Sequence, residues 1–346
     1  MGSEFLILTQ DLVKTFRVYQ HHRGSLGALK NLVNRRYREL RAVDGISFDI
    51  AAGELVGYLG PNGAGKSTTL KMLSGILVPT SGELRVAGRV PWRARSAHAR
   101  EIGVVFGQRT NLWWDLPVIE SLDLLHHVYR VPTARYEANL STFRELLALD
   151  EFLDTPVRSL SLGQRMRADL AGALLHDPRI LFLDEPTIGL DVVAKARIRD
   201  FVQAINAERG VTVLLTTHDL GDVERLCPRV LMIDHGRLLF DGPPQALVTR
   251  FGGERELVVD LAEDYDTVEL PGARVASHIG RRVVYRFRRD EVSASDLIGR
   301  LSARYRVDDL GVREPVIEDT VRRIYEEGLL RDRGAGDEAR SSTSET

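Results

Sequence analysis

Nine consecutive residues, Gly60-Pro61-Asn62-Gly63-Ala64-Gly65-Lys66-Ser67-Thr68, constrain this chain more than any other stretch. Before them, Leu55-Val56-Gly57-Tyr58-Leu59 is an apolar run of buried-strand length, and after them Thr69 to Gly75 reads as a helix ending at glycine. A strand, a glycine-rich turn and a helix start in that order make a phosphate loop. Gly60, Gly63 and Gly65 allow backbone conformations and close approaches that a side chain would block, so successive N–H groups face phosphate oxygens, with the positive end of the helix behind them. Lys66 is placed to reach the outer phosphates and the Ser67 hydroxyl to hold Mg²⁺.

The 346 residues, 43% hydrophobic and 28% charged, are enough for a full core and for two domains. A formal charge of −2 argues against a nucleic-acid partner, which calls for a basic surface. Cys227 is the single cysteine, so an internal disulfide and a cysteine-built metal cluster are excluded, and a buried position is expected. The sequence has no apolar run of 18 residues and no signal pattern at its start, so it is expected neither to span a membrane nor to be secreted by that route.

Phe5 to Phe16 alternates as an opening strand and Ala42 to Ile50 as a second. Between them, about residues 21–41 form a basic insertion. Arg23, Lys30, Arg35, Arg36, Arg38 and Arg41 stand against Glu39, with Leu26, Leu29, Leu32 and Val33 at helical spacing. This reads either as an amphipathic helix near anionic head groups or an acidic partner, or as a solvated helix docked by its leucines. Leu84 to Gly88 and Ile102 to Gly107 read as further strands, the latter ending at Gln108, where a polar side chain can reach a ligand. Trp113 and Trp114 sit together in a loop, as core anchors or as a partner-docking surface. From Val118 to about His176 the pattern is helical, broken at Pro132 and Pro156. Within it, Leu160-Ser161-Leu162-Gly163-Gln164 precedes a helix, a combination able to hold an anion.

Ile180 to Leu183 is a strand that delivers Asp184 and Glu185. The first acid can hold Mg²⁺ beside the phosphate loop and the second can polarise an attacking water, whereas two buried carboxylates with nothing to bind would repel each other and resist desolvation. Gly189-Leu190-Asp191 opens a helix, and Val211 to Thr217 is a strand ending at His218, where the ligand crevice of a parallel sheet lies. Val230 to Asp234 and Arg237 to Asp241 read as a closing hairpin.

The phosphate loop, Gln108, the Leu160–Gln164 segment, Asp184-Glu185, Gly189-Leu190-Asp191 and His218 fall in the order and approximate spacing of the ATP-binding-cassette (ABC) transporter ATPases, which the chain resembles over about residues 6–245. The resemblance implies an α/β P-loop NTPase core with an antiparallel β subdomain and a helical subdomain of about residues 109–176. It also implies a dimer in which each ATP lies between one subunit's phosphate loop and the other's signature segment. Carried over by position, Gly60, Pro61, Asn62, Gly63, Ala64, Gly65, Lys66, Ser67 and Thr68 bind phosphates, and Gln108 senses Mg²⁺ and the attacking water. Ser161 and Gly163, with Gln164 beside them, reach the γ-phosphate across the interface. Asp184 helps to hold Mg²⁺, Glu185 is the catalytic base, Asp191 couples the two sites and His218 contacts the γ-phosphate. An aromatic ring stacks on adenine, for which Phe16 fits best and Tyr19 or Tyr37 are alternatives. Leu162 departs from the family's usual signature glycine, so a competent site with altered neighbours is expected.

The basic insertion, the Leu-Trp-Trp-Asp run at 112–115 and the Ser-Leu-Gly-Gln-Arg-Met-Arg signature look most like the ATPases of ABC-2 type exporters; exporters of polysaccharide and teichoic acid carry a comparable insertion. Such a subunit would work at the cytoplasmic face of the membrane with separate membrane-spanning permease subunits and a second ATPase subunit. The alternative is a soluble clamp acting on ribosomes or DNA, but this chain has neither the tandem cassettes nor the long coiled-coil insertion usual in those relatives. Beyond Gly252-Gly253, strands are expected at Glu256 to Leu261, Val268 to Leu270, Arg282 to Phe287 and Val307 to Val312. With helices at Ser293 to Tyr305 and Ile317 to Tyr325, they make a small α+β domain of about residues 254–330, dimerising or regulatory. Residues 331–346 are polar and expected to be disordered.

Overall fold

A computed structural model describes residues 5–19, 37–107, 109–217, 220–251, 254–288, 291–314, 320–321 and 324–325. The chain divides into two compact units between Gly242 and Pro243.

The strands of the first unit are β1 (Phe5–Tyr19), β2 (Tyr37–Ala51), β3 (Leu55–Leu59), β4 (Ser81–Val86), β5 (Ile102–Phe106), β6 (Ile180–Asp184), β7 (Thr212–Thr217), β8 (Arg229–Asp234) and β9 (Arg237–Gly242). They form a three-stranded antiparallel sheet in the order β2-β1-β4 and a six-stranded sheet in the order β5-β6-β7-β3-β8-β9, parallel except for the final hairpin. All of β3 is buried, as its unbroken apolar sequence requires for an inner strand of a parallel sheet. One core joins both sheets to the helix Lys66–Leu73: Phe48, Ile50 and Leu84 from the antiparallel sheet meet Val56, Tyr58, Leu70 and Leu73. Cys227 is buried, its sulfur 3.3 Å from where a Cβ on Gly57 would stand.

The basic insertion needs one correction. Tyr37 to Arg41 are strand, paired with Tyr19 to Thr15 of β1, so the ladder's hydrogen bonds extend the hairpin into a stretch whose composition reads as helix. Residues 21–36 of the insertion lie outside the described residues.

Between β5 and β6 come the helices Val118–Tyr129, Thr133–Leu147 and Leu162–Leu174. Pro132 caps the second, with Leu122, Phe143, Leu147 and Leu170 in the interior. Phe143 meets Phe201 edge-on at 5.9 Å. Of the two readings of the tryptophan pair, surface display is the observed one: Trp113 and Trp114 are 41% and 50% exposed, with the Arg165 guanidinium over the Trp114 ring.

In the second unit β10 (Glu254–Leu261), β11 (Arg274–Ile279), β12 (Arg282–Arg288) and β13 (Val307–Arg313) form an antiparallel sheet in the order β11-β12-β10-β13. The helix Ala294–Arg304 packs Leu297 and Leu301 into a core with Leu257, Val259, Val283 and Tyr285. Val268 to Leu270 is not a strand: Val268 and Leu270 enter this core from an irregular segment that ends at Pro271. The strand in that region is β11, an edge strand whose face is mostly exposed. Thr320, Val321, Ile324 and Tyr325 are helical; the rest of the last expected helix and residues 331–346 lie outside the described residues.

Candidate active site

The parallel register brings the strand ends to one edge. Phe106 stands opposite Asp184, Asp184 opposite Thr216, and Leu59 opposite Thr217. The phosphate loop leaves β3 at this edge, and the acid pair ends β6 beside it, in the crevice where ligands of such sheets bind.

The loop is braced through its glycines. A Cβ on Gly60 would lie 2.5 Å from the Ile233 carbonyl oxygen, and one on Gly65, at φ 110°, would lie 2.4 Å from that of Ala42. Both positions are therefore closed to any side chain. Lys66 begins the helix and turns its Nζ back to donate to the carbonyls of Gly60 at 2.6 Å and Pro61 at 3.2 Å. Its burial lowers its pKa, opposed by the negative charges of Glu185 and Asp184. Glu185 Oε1 is 3.8 Å from Nζ. Ser67 Oγ donates to Asp184 Oδ1 at 3.2 Å, and Thr216 Oγ1 donates to the same oxygen at 2.6 Å. A hydroxyl and a carboxylate oxygen side by side are hard oxygen donors that suit Mg²⁺, and an inward-facing loop with a buried lysine suits a triphosphate.

Glu185 is held in the left-handed region at φ 54°, uncommon for a side chain of this kind and frequent at functional positions. Its N–H is fixed by the Thr216 carbonyl at 3.0 Å and by Thr216 Oγ1 at 3.1 Å. Thr216 escapes a motif-by-motif reading, and its signal is its place at the C-terminal end of β7, opposite Asp184. Asp222 was equally hidden: fully buried, it accepts from Thr187 Oγ1 and Arg199 Nε and so ties the segment after Glu185 to two helices.

The sequence-predicted residues separate into groups. Lys66, Ser67, Asp184 and Glu185 come together, while Ser161, Gly163 and Gln164 stand at the start of the helix Leu162–Leu174. Among the described residues no hydrogen bond or ion pair joins that segment to the phosphate loop of the same chain. Ser161 and Gln164 form a reciprocal cap, Gln164 N donating to Ser161 Oγ at 3.2 Å and Ser161 N to Gln164 Oε1 at 2.9 Å. Ser161→Ala is expected to cost about 1 kcal/mol of stability, measured by urea unfolding. Leu162 has Gly189 as neighbour, its Cδ2 3.2 Å from where a Cβ would be. Asp191 caps the helix Val192–Arg209 by accepting from Ala194 N at 2.8 Å. Phe16 is half-buried in β1, opposite Leu40, with Lys14 Nζ 5.3 Å from its ring centre. Tyr37 is exposed under Arg17, and the side chain of Tyr19, like Gln108 and His218, lies outside the described residues.

Residues 43–188 match the ABC transporter family. The chain is 40% identical over 243 residues to the Nod factor export ATP-binding protein I of Ralstonia nicotianae, covering 70% of this chain and 73% of that one. Against the protein of the same name from Paraburkholderia xenovorans it is 44% identical over 217 residues, covering 62% and 70%. Among solved structures it is similar to cbiO1 from Clostridium perfringens, part of the ABC transporter complex cbiONQ, with TM-score 0.58 and 26% identity over 72% of this chain and 92% of that one. It is also similar to the ATP-binding cassette MJ0796, solved as a dimer bound to ADP and Pi, with TM-score 0.57 and 25% identity over 68% and 98%. With the phosphate loop, the acid pair and the capped signature helix in one cassette fold, and with these relatives, the chain belongs to the ATPase subunits of the ABC transporters.

Proposed function

We propose that this chain is the motor subunit of an ABC-2 type exporter, working as a dimer with separate membrane-spanning subunits at the cytoplasmic face of the membrane. The observation that carries the reading is the meeting of Lys66, Ser67, Asp184 and a conformationally strained Glu185 at one sheet edge. The loop N–H groups from Gly60 to Thr68 bind phosphate oxygens, and Lys66 supplies positive charge to the outer ones. Ser67 and Asp184 hold Mg²⁺, which when bound neutralises charge developing on the β- and γ-phosphates. Glu185 takes the proton of the attacking water as general base. Gln108 and His218 are assigned by position as the sensor of Mg²⁺ and water and as the γ-phosphate contact.

A second ATPase subunit, a copy or a paralogue, supplies Ser161, Gly163 and Gln164 to the opposite face of the nucleotide, and Asp191 links the two sites. Two features support this: among the described residues no hydrogen bond or ion pair joins the signature segment to its own phosphate loop, and Val192 and Val193, directly after Asp191, are 80% and 71% exposed. Phe16 is the adenine-stacking ring. Its neighbour across the ladder, Leu40, is two residues from Ala42, on which Gly65 rests. Export as the direction follows the relatives' names. Among the described residues no helix is long and apolar enough to cross a membrane, so passage falls to other chains, and exposed Trp113 and Trp114 offer them an aromatic docking surface.

The test is the molecular mass of the purified chain by light scattering. With Mg-ATP it is expected to double and to return to the monomer value as ATP is consumed. A chain that neither dimerises nor hydrolyses ATP, alone or co-expressed with its membrane subunits, overturns the reading.

A further inference from the structure

The helix Val118–Tyr129 carries Asp123, His126 and His127, none of which the hydrolytic site uses. Residues three and four apart on a helix are neighbours, so both histidines meet the same carboxylate. His126 Nδ1 is 3.7 Å from Asp123 Oδ1, and His127 Nδ1 is 4.0 Å from Asp123 Oδ2. One donor atom from each of the three side chains lies within 4.8 Å of the other two. His127 Nδ1 also lies 2.8 Å from the Asp123 carbonyl oxygen, a contact that holds its ring over the same turn. Among the described residues no hydrogen bond or ion pair joins these three to Lys66, Ser67 or Asp184.

His126 is the member that an ordinary surface pair does not explain. Its side chain is 14% exposed, and its ring stacks at 4.5 Å on Tyr136, in the first turn of the helix Thr133–Leu147. Its Nδ1 is shut off from solvent and, among the described residues, has no hydrogen-bond partner. Buried polar atoms are almost always partnered. Asp123 Oδ1 stands on the correct side but too far away to accept a hydrogen bond. A helix-surface ion pair would account for the exposed His127 and leave His126 Nδ1 with nothing.

We propose that Asp123, His126 and His127 form a binding site for one divalent cation of the zinc class, separate from the Mg²⁺ position at Ser67 and Asp184. Two imidazoles and a carboxylate are a borderline donor set, which favours zinc, cobalt or nickel; Mg²⁺ and Ca²⁺ take oxygen ligands. Bond lengths of about 2.0–2.1 Å in a tetrahedron put donor atoms roughly 3.3 Å apart. The three side chains are a little wider than that, and rotation of the exposed Asp123 and His127 closes the gap. An ion there gives the buried His126 Nδ1 its partner, and water completes the coordination. Because His126 packs on Tyr136, the ion also fixes the last turn of one helix against the first turn of the next. The site shares no residue with the hydrolytic one, so it stands or falls independently of the ATPase reading.

The experiment titrates the full chain, free of any affinity tag, with Zn²⁺ in excess Mg²⁺ and follows calorimetry and the thermal midpoint; Co²⁺ serves as the absorbing probe of imidazole ligation. Wild type is expected to take up one Zn²⁺ per chain and to melt at a higher temperature with it. Asp123→Ala and His127→Ala change exposed helical positions where alanine is well tolerated, and His126→Phe keeps a ring on Tyr136 while removing the ligand. Each is expected to weaken Zn²⁺ binding at least about tenfold, to abolish the Co²⁺ absorption band and to leave Mg-ATP affinity within about twofold. Wild type that takes up no Zn²⁺ saturably overturns the proposal. So does uptake equally tight in all three variants, which places the ion elsewhere, and so does wild-type affinity in His126→Phe alone, which reduces the cluster to a surface pair of Asp123 with His127.

Discussion

Glu185→Gln is expected to lower kcat on the order of 1000-fold while leaving ATP affinity near wild type. Glutamine has the shape of glutamate and keeps the backbone conformation and the hydrogen bonds of the main-chain N–H to Thr216, so the phosphate loop and the Ser67–Asp184 pair stay in place. What it lacks is the ability to accept a proton from water. Removing a charge 3.8 Å from the buried Lys66 ammonium also removes a neighbour that stabilises the charged lysine, which affects nucleotide binding far less than hydrolysis because the triphosphate brings its own negative charge. Binding that survives while turnover stops should trap the ATP-bound dimer, visible by light scattering at ATP concentrations where the wild type cycles back to monomer. Phosphate release within tenfold of wild type would remove Glu185 from the role of base.

Asp222→Ala is expected to cost roughly 3–5 kcal/mol of stability, because it strands a guanidinium. Asp222 is wholly buried, and the Arg199 side chain that it pairs with is only 14% exposed. Thr187 Oγ1 also loses its acceptor. For a unit of this size the loss corresponds to a fall of roughly 10 °C in melting temperature. The joint variant Asp222→Leu with Arg199→Met removes both charges and is expected to recover most of it, since a buried pair replaced as a whole leaves nothing unpaired. Equal melting temperatures for wild type and Asp222→Ala would show that water reaches the Arg199 guanidinium and that the pair is not structural. Because Thr187 closely follows Glu185, the single variant should also lose hydrolytic activity beyond its effect on folding.

Much of the candidate site's layout was legible because its signals are local. The phosphate loop, the β6 acid pair and the Asp191 cap each lie within a few consecutive residues, bounded by apolar runs whose length and glycine punctuation set the element type. What escaped depends on partners distant in sequence. Asp169 and Asp222 read as ordinary polar positions on amphipathic helices until Thr110 and Arg199 are seen to meet them. Tyr37 to Arg41 carry charges that suit a solvated helix, yet β1 pairs them as strand. In the second unit, Val268 and Leu270 show that apolar residues can serve a core from irregular backbone, while β11 stays concealed because an exposed edge strand needs no alternating pattern.

The bracing of the phosphate loop also bears on how the protein is made. Gly60 rests on Ile233, and Gly236 N donates to the Ala64 carbonyl at 2.9 Å, so the loop takes its shape from a hairpin translated about 170 residues later. At the usual pace of synthesis those residues take roughly 10–35 s to appear. Throughout that interval the nascent chain carries the whole Gly60–Thr68 sequence without the wall that shapes it. Until then the loop has only the Ala42 carbonyl and its own backbone to brace it, and the capacity to hold ATP should rise once β8 and β9 clear the ribosome. A chain stalled before Gly236 would display the motif in full without that wall, and it is expected to bind nucleotide more weakly than the finished chain.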